Sequence, residues 1–260
     1  MSIREIISKY FTFFGYGIAT TLFLAIVGTL GGLFFGLFLA LGRTLHISSY
    51  DHFIVKIIKK VINFLCYLYI QVFRGTPMML QGMIFFLAIP LMIGNDFSWT
   101  TIGDNVIFNG YLLCGSIVII LNTSAYIGEI LRGGINSLDK GQEEGALSLG
   151  MTRFQAMFYV ILPQTIKNSI PSIGNELIVN IKDSSVLNVI GLTELFGWGK
   201  NIINETYNAI GVYIIVGVIY LLLTFIFAFI LKLIEKKMNG DLVFNINFFK
   251  HSGSIYGGNN

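Results

Sequence analysis

Residues 16–41 form a run without a single charged side chain. A helix needs about 20 such residues to cross the hydrocarbon layer of a bilayer, where every backbone N–H and C=O must be paired within the segment. The run therefore restricts the chain to helices that cross lipid. The whole sequence agrees: 54% of its 260 residues are hydrophobic and 12% charged, whereas a soluble domain carries about 25% charged residues. Further apolar stretches lie at 61–93, 106–131, 156–190 and 208–234. Together they predict an all-α membrane protein of about five transmembrane helices, with no room for a large soluble domain.

Two of these stretches are broken. Residues 61–93 are too long for one straight span, and Arg74, Gly75, Thr76 and Pro77 mark a kink: proline removes a backbone donor and glycine allows the bend. Residues 156–190 are interrupted by Pro163 and Pro171. In the first span, Gly28, Gly31, Gly32 and Gly36 recur on nearby faces, a spacing that admits close helix packing in lipid. Basic loops at 43–60 and 132–155 belong on the cytoplasmic side, and the acid-bearing loop 94–105 (Asp96, Asp104) on the other. The N-terminus is then outside and the C-terminus cytoplasmic. The division is a 1–15 N-terminal extracytoplasmic or interfacial segment, a 16–237 transmembrane domain, and a flexible cytoplasmic tail at 238–260. Residues 191–207 read as an outside loop or re-entrant turn.

Charges inside an apolar segment are costly and invite a functional reading. Glu176, Asn180 and Asp183 are spaced i, i+4, i+7, which places them on one helical face. Two acids and an amide on one stripe can hold the ammonium of an amino acid zwitterion or a cationic side chain. Lys182 lies about 100° off that stripe and reaches a carboxylate or pairs with an acid; Ser184 and Ser185 add hydroxyls. The same residues also suit a buried network that locks helix packing, and both readings stand at this stage. Glu129 and Arg132, three residues apart, suit an ion pair at the cytoplasmic mouth.

Residues 139–155 are polar. Glu143 and Glu144 precede Ala146, Leu147 and Leu149, and Gly150 follows: the pattern of a short amphipathic helix ended by glycine. The stretch EGALSLGMTRFQAMFYVILP resembles the EAA loop of ABC importer permeases, with Glu144, Ala146, Gly150, Leu162 and Pro163 in register. Gly145 replaces the usual second-position alanine, and Val160 stands where isoleucine is usual. FRGTPMMLQ (73–81), SAYIGEILRGGINSLDKGQ (124–142), LPQTIKNSIPSIGNELI (162–178) and KDSSVLNVIGLTEL (182–195) resemble the polar amino acid subgroup, of histidine, glutamine and arginine permease type. The resemblance implies a type I ABC importer permease fold in the bacterial inner membrane. It implies two paired permease chains, with a homodimer simpler than a heterodimer, an extracytoplasmic amino acid-binding protein, and a separate ATPase dimer that uses ATP and Mg. Glu144, Ala146 and Gly150 would couple to that ATPase. Glu176, Asn180, Lys182, Asp183 and Ser184 would line the path of a polar, possibly basic, amino acid.

Several classes are disfavoured. The sequence has no Walker A pattern, so nucleotide hydrolysis is not expected of this chain, and no HExxH, GxSxG or Cys–His pairing supports an enzyme. Cys66 and Cys114 lie in apolar runs as small buried hydrophobes, and no metal-ligand spacing occurs; no cofactor and no metal are expected. Net charge +3 fits membrane orientation rather than nucleic-acid binding. The alternative is an ATP-independent channel or secondary carrier, which explains broken helices and intramembrane charge but not the 139–155 loop.

Overall fold

The structure, a computed structural model, describes residues 1–48, 51–93, 99 and 109–238. All regular elements among them are helical. The 94–105 loop with Asp96 and Asp104, apart from Trp99, and the tail beyond Met238 lie outside the described residues.

Helix α1 spans Ile3–Arg43 and opens with a reciprocal cap: Glu5 N donates to Ser2 Oγ at 3.3 Å and Ser2 N to Glu5 Oε2 at 2.9 Å. At 1.5 Å per residue it is far longer than the roughly 30 Å hydrocarbon layer. Tyr10 departs from helical dihedrals (φ −108°, ψ 17°) and bends the first turns away. Residues 3–15 thus form the opening turns of this helix. Helix α2 (Phe53–Gly75) and α3 (Met78–Ile93) meet at 109°.

Helix α4 (Gly110–Ser137) is the central post. In its most apolar window 61% is buried within the chain, against 17% for the last helix, α9 (Ala209–Met238). The α1 glycines bring the two backbones together: a Cβ on Gly36 would stand 2.9 Å from Gly128 N and 3.0 Å from Ser124 O. Lipid offers no hydrophobic drive between helices, so such close packing is a main source of association.

Between α4 and α9 the chain forms α5 (Lys140–Ser148), α6 (Arg153–Ala156), a π turn (Met157–Ile161), α7 (Leu162–Asp183), a 3-10 turn (Ser184–Ile190) and α8 (Leu195–Thr206). Pro163 sits in the first turn of α7, where its missing N–H costs nothing, and the π turn precedes it. Pro171 lies inside α7 without ending it. The 191–207 stretch is a helix over most of its length, not a loop. Gly191 turns the chain into it at φ +89°, and Gly199 serves close approach: a Cβ there would meet Val216 Cγ2 at 2.8 Å.

Among the described residues three helices, α1, α4 and α9, are long and apolar enough to cross a membrane, and the bent α2–α3 pair makes a fourth if it counts as one span. The 156–190 stretch, expected as a further span, carries Lys167, Glu176, Lys182 and Asp183 and falls outside that set. Three apolar clusters hold the bundle. One joins α1 and α4 to the 3-10 turn through Leu24, Val118, Ile119 and Leu187. A second joins the start of α1 to α8 and α9 through Ile6, Tyr10, Leu195 and Val212. The third packs Ala40, Ile127, Leu131 and Ile173 where α1, α4 and α7 meet.

Candidate functional site

Helix α7 carries the charged stripe. Asn180 is buried, and its amide is fully engaged: Nδ2 donates to Thr29 Oγ1 on α1, and Oδ1 accepts from Thr123 Oγ1 on α4, both at 3.0 Å. It bolts α7 to the α1–α4 pair. Glu176 and Asp183, a turn on either side, are half-buried. The Arg74 guanidinium lies 5.4 Å from the Tyr126 ring centroid. Lys182 points outward, and its charge acts on Asp183. Ser184 is fully buried and donates to Ile181 O at 2.9 Å. The five candidate residues therefore divide: Asn180 and Ser184 are tied into the fold, whereas Glu176, Asp183 and Lys182 have charged groups left to offer. Nearby on α4, Arg132 Nε and Nη2 both donate to the Glu129 carboxylate, at 3.0 and 2.5 Å.

The bend between α2 and α3 frees carbonyls that the helix would have paired. Gln81 takes them up: its Nε2 lies 2.9 Å from Phe73 O and 3.0 Å from Thr76 O, and its Oε1 accepts from Asn122 Nδ2 of α4 at 2.9 Å. Neither Gln81 nor Asn122 was singled out in the sequence; an amide four residues after a proline break was the available signal.

A second missed group is Glu194, fully buried. Its carboxylate caps α8, accepting from Phe196 N and Gly197 N at 2.9 Å each, and it accepts from Tyr220 Oη of α9 at 2.6 Å. Leu195 N donates to Thr21 Oγ1 of α1 at 3.3 Å. The acid directly before an apolar helical run was the cue for a cap.

The 139–155 loop is a helix–turn–helix. Asp139 caps α5 by accepting from Gly141 N at 2.8 Å. At the other end, Gly150 N donates to Leu147 O and Met151 N to Ala146 O, at 3.0 and 3.2 Å, a Schellman closure. Gly150 has φ +84°, a left-handed conformation that side chains with a Cβ rarely adopt. Thr152 then caps α6, with Gln155 completing the box. Ala146 is buried, Glu144 is exposed, and Leu149 and Phe154 are 83% and 70% exposed. Two apolar side chains thus stand open on a turn whose helices are both capped. Among the described residues, no group of three or more His, Cys, Asp or Glu side chains is placed to hold a metal.

A helical bundle bent at its second span, with charge inside and a rigid polar turn outside, has the build of a membrane transport subunit. Comparison with known proteins assigns the family. Residues 53–240 match the family described as the binding-protein-dependent transport system inner membrane component, and the chain belongs to it. The glutamine transport system permease protein GlnP of Escherichia coli (strain K12) is 33% identical over 222 residues, covering 85% of this chain and 91% of that protein. The arginine transport system permease protein ArtQ of Bacillus subtilis (strain 168) is 35% identical over 227 residues, covering 86% and 92%. Among solved structures, a crystal structure of an amino acid ABC transporter with histidines matches with a TM-score of 0.73 and 35% identity, covering 89% of this chain and 96% of that one. An inward-facing structure of the MetNI methionine ABC transporter, at 17% identity and a TM-score of 0.67, shares the fold.

Proposed function

We propose that this chain is the membrane-spanning permease subunit of an ATP-driven importer of a polar amino acid. The observation that carries the reading is the α5–α6 turn: a short, doubly capped helix pair, reversed at Gly150 and exposing Glu144, Leu149 and Phe154. A separate ATPase dimer, which binds the ATP and Mg, docks there and moves the spans between two states by contacts that differ between them. This face is cytoplasmic, with the N-terminus outside, in a bacterial inner membrane. A second permease chain, most simply a copy of this one, completes the path, and an extracytoplasmic binding protein delivers the substrate.

In the path, Glu176 and Asp183 meet the ammonium group or a cationic side chain. Lys182 and Arg74 supply positive charge near them for a carboxylate, and Asn180 and Ser184 hold α7 in register. Two acids lean towards a basic amino acid; the glutamine and arginine relatives support the polar amino acid class. An ATP-independent channel or carrier would leave the α5–α6 turn without a use.

The test is purification of the tagged chain from its native membranes, followed by an ATPase assay of the eluate. A co-purifying ATPase is expected, and Glu144→Arg should release it while the permease stays folded. A lone polypeptide without ATPase activity would move the carrier reading to first place.

A further inference from the structure

The end of α1, residues 44–47, and the starts of α5 and α6 enclose a groove of about 900 Å³. Its walls carry Arg43, Lys59, Lys140 and Arg153 against two carboxylates, Asp139 and Glu143. Two of the cations are already matched: Lys59 by Asp51 at 2.8 Å and Arg153 by Glu143 at 3.3 Å. The hydrogen bond from Lys59 holds the Asp51 carboxyl below its ordinary value. Arg43 and Lys140 have no carboxylate within ion-pair range among the described residues. Arg43 is also held in place: Nη1 donates to Asn63 Oδ1 at 2.6 Å, and its guanidinium lies 4.9 Å from the Tyr67 ring centroid. Its Nε–H is buried and has no hydrogen-bond partner among the described residues. A buried donor left unmade is costly and calls for an acceptor. The remaining wall is largely apolar, with Leu45, Ile47, Met157 and Phe158.

We propose that this groove binds a phosphate-bearing anion, with Arg43 and Lys140 as its cationic contacts. The apolar wall favours the phosphodiester headgroup of an anionic phospholipid over free phosphate, because acyl carbons then have a surface to lie on. Basic side chains next to a bilayer draw such lipids. An occupant touches the end of α1 and the α5–α6 turn at once, and so sets the turn against the spans. The membrane-face setting rests on the orientation proposed above.

The full chain, purified in dodecyl maltoside, is titrated with dioleoylphosphatidylglycerol, with dioleoylphosphatidylcholine and with inorganic phosphate. Native mass spectrometry reads the adducts. Phosphatidylglycerol is expected to bind saturably and in preference to phosphatidylcholine. Lys140→Gln, at an exposed position, should weaken it about fivefold, the worth of roughly one cation at an anionic surface. Arg43→Lys, which keeps the charge and loses the Nε donor, should weaken it as well. Lys9→Gln, at the other end of α1, should leave it unchanged. Inorganic phosphate binding with the same Lys140 dependence would support the site and place its ligand in solution. Equal binding of the two lipids without phosphate binding, or phosphatidylglycerol binding indifferent to Lys140→Gln and Arg43→Lys, would overturn the proposal. No ATPase or transport is read, so this failure and a failure of the permease reading are distinguishable.

Discussion

Replacing Gly36 by alanine sets two effects of opposite sign against each other. At an unobstructed helical glycine, alanine stabilises by up to ~1 kcal/mol through backbone entropy. At Gly36 the new methyl would stand 2.9 Å from Gly128 N, 3.0 Å from Ser124 O and 3.2 Å from Ile127 Cβ. The two closest of these are backbone atoms, which cannot rotate away. Relief requires α1 and α4 to part by about 0.5–1 Å, which forfeits a quarter to a half of each dispersion contact along the seam. Over some tens of atom pairs worth ~0.1–0.2 kcal/mol each, the loss is about 2–4 kcal/mol. The net is a destabilisation of about 1–3 kcal/mol. At about 2–4 °C per kcal/mol for a chain of this size, Tm should fall by several degrees. In a Cys66→Ala background, which removes the partly exposed thiol, the buried thiol of Cys114 provides the assay, since a thiol-reactive fluorophore then labels the chain only on unfolding. Gly217→Ala on α9, where nothing lies within 4 Å of the added carbon, is the matched control and should hold or raise Tm. If Gly36→Ala melts at or above the parent temperature, the close α1–α4 seam is not what holds these helices together.

Three further outcomes are expected. Asn180→Leu removes both interhelical hydrogen bonds to Thr29 and Thr123, which in membranes are worth about 0.6 kcal/mol each and at most ~1.7. It should lower Tm in the same thiol assay, and an unchanged Tm would remove the bracing role. Gly150→Ala forces a Cβ onto φ +84°, at a cost of about 1–2 kcal/mol. Ala has space there, so the global melt should hardly move, while protease cleavage at 149–152 should rise. Asp183→Asn should lower uptake of a basic amino acid by reconstituted transporter at least tenfold while the ATPase still co-purifies; unchanged uptake kinetics would take Asp183 out of the path.

Much of the architecture was legible because lipid leaves so few solutions. A charge-free run such as 16–41 must be helical, and Glu129 with Arg132 could be paired from spacing alone. The glycines of α1 read equally well as a packing seam or as glycines a membrane helix simply tolerates, and the close approach to α4 at Gly36 decides for the seam. The reading of 191–207 as an outside loop or re-entrant turn did not foresee helix α8. Gly191, at φ +89°, does turn the chain, whereas Gly197 and Gly199 mark close approach to Asn188 and Val216, and only tertiary contacts separate those uses. Spacing placed Glu176, Asn180 and Asp183 on one face, but it carries no information on what stands opposite. The threonines that occupy Asn180 come from α1 and α4, 151 and 57 residues away in sequence. Gln81 and Glu194 went unremarked because each acts on backbone groups that become orphans only once the chain has bent.

The carboxylate of Glu194 has a consequence for the order in which the molecule is made. Its third partner, the Tyr220 hydroxyl, lies 26 residues downstream. The opening of α1 waits longer still: Tyr10 Oη donates to Glu205 Oε2 at 2.8 Å, and Met1 O accepts from Asn208 Nδ2 at 3.1 Å. Chains are built from the N-terminus, and contacts between residues far apart in sequence form late. The first helix to leave the ribosome is thus among the last to be finished, its N-terminal end unsettled until α8 and α9 arrive. A nascent chain stopped before residue 195 would leave Ile6, Tyr10 and Phe14 without their partners on α8 and α9, and would show a cell's quality control an unfinished surface at its beginning rather than at its end.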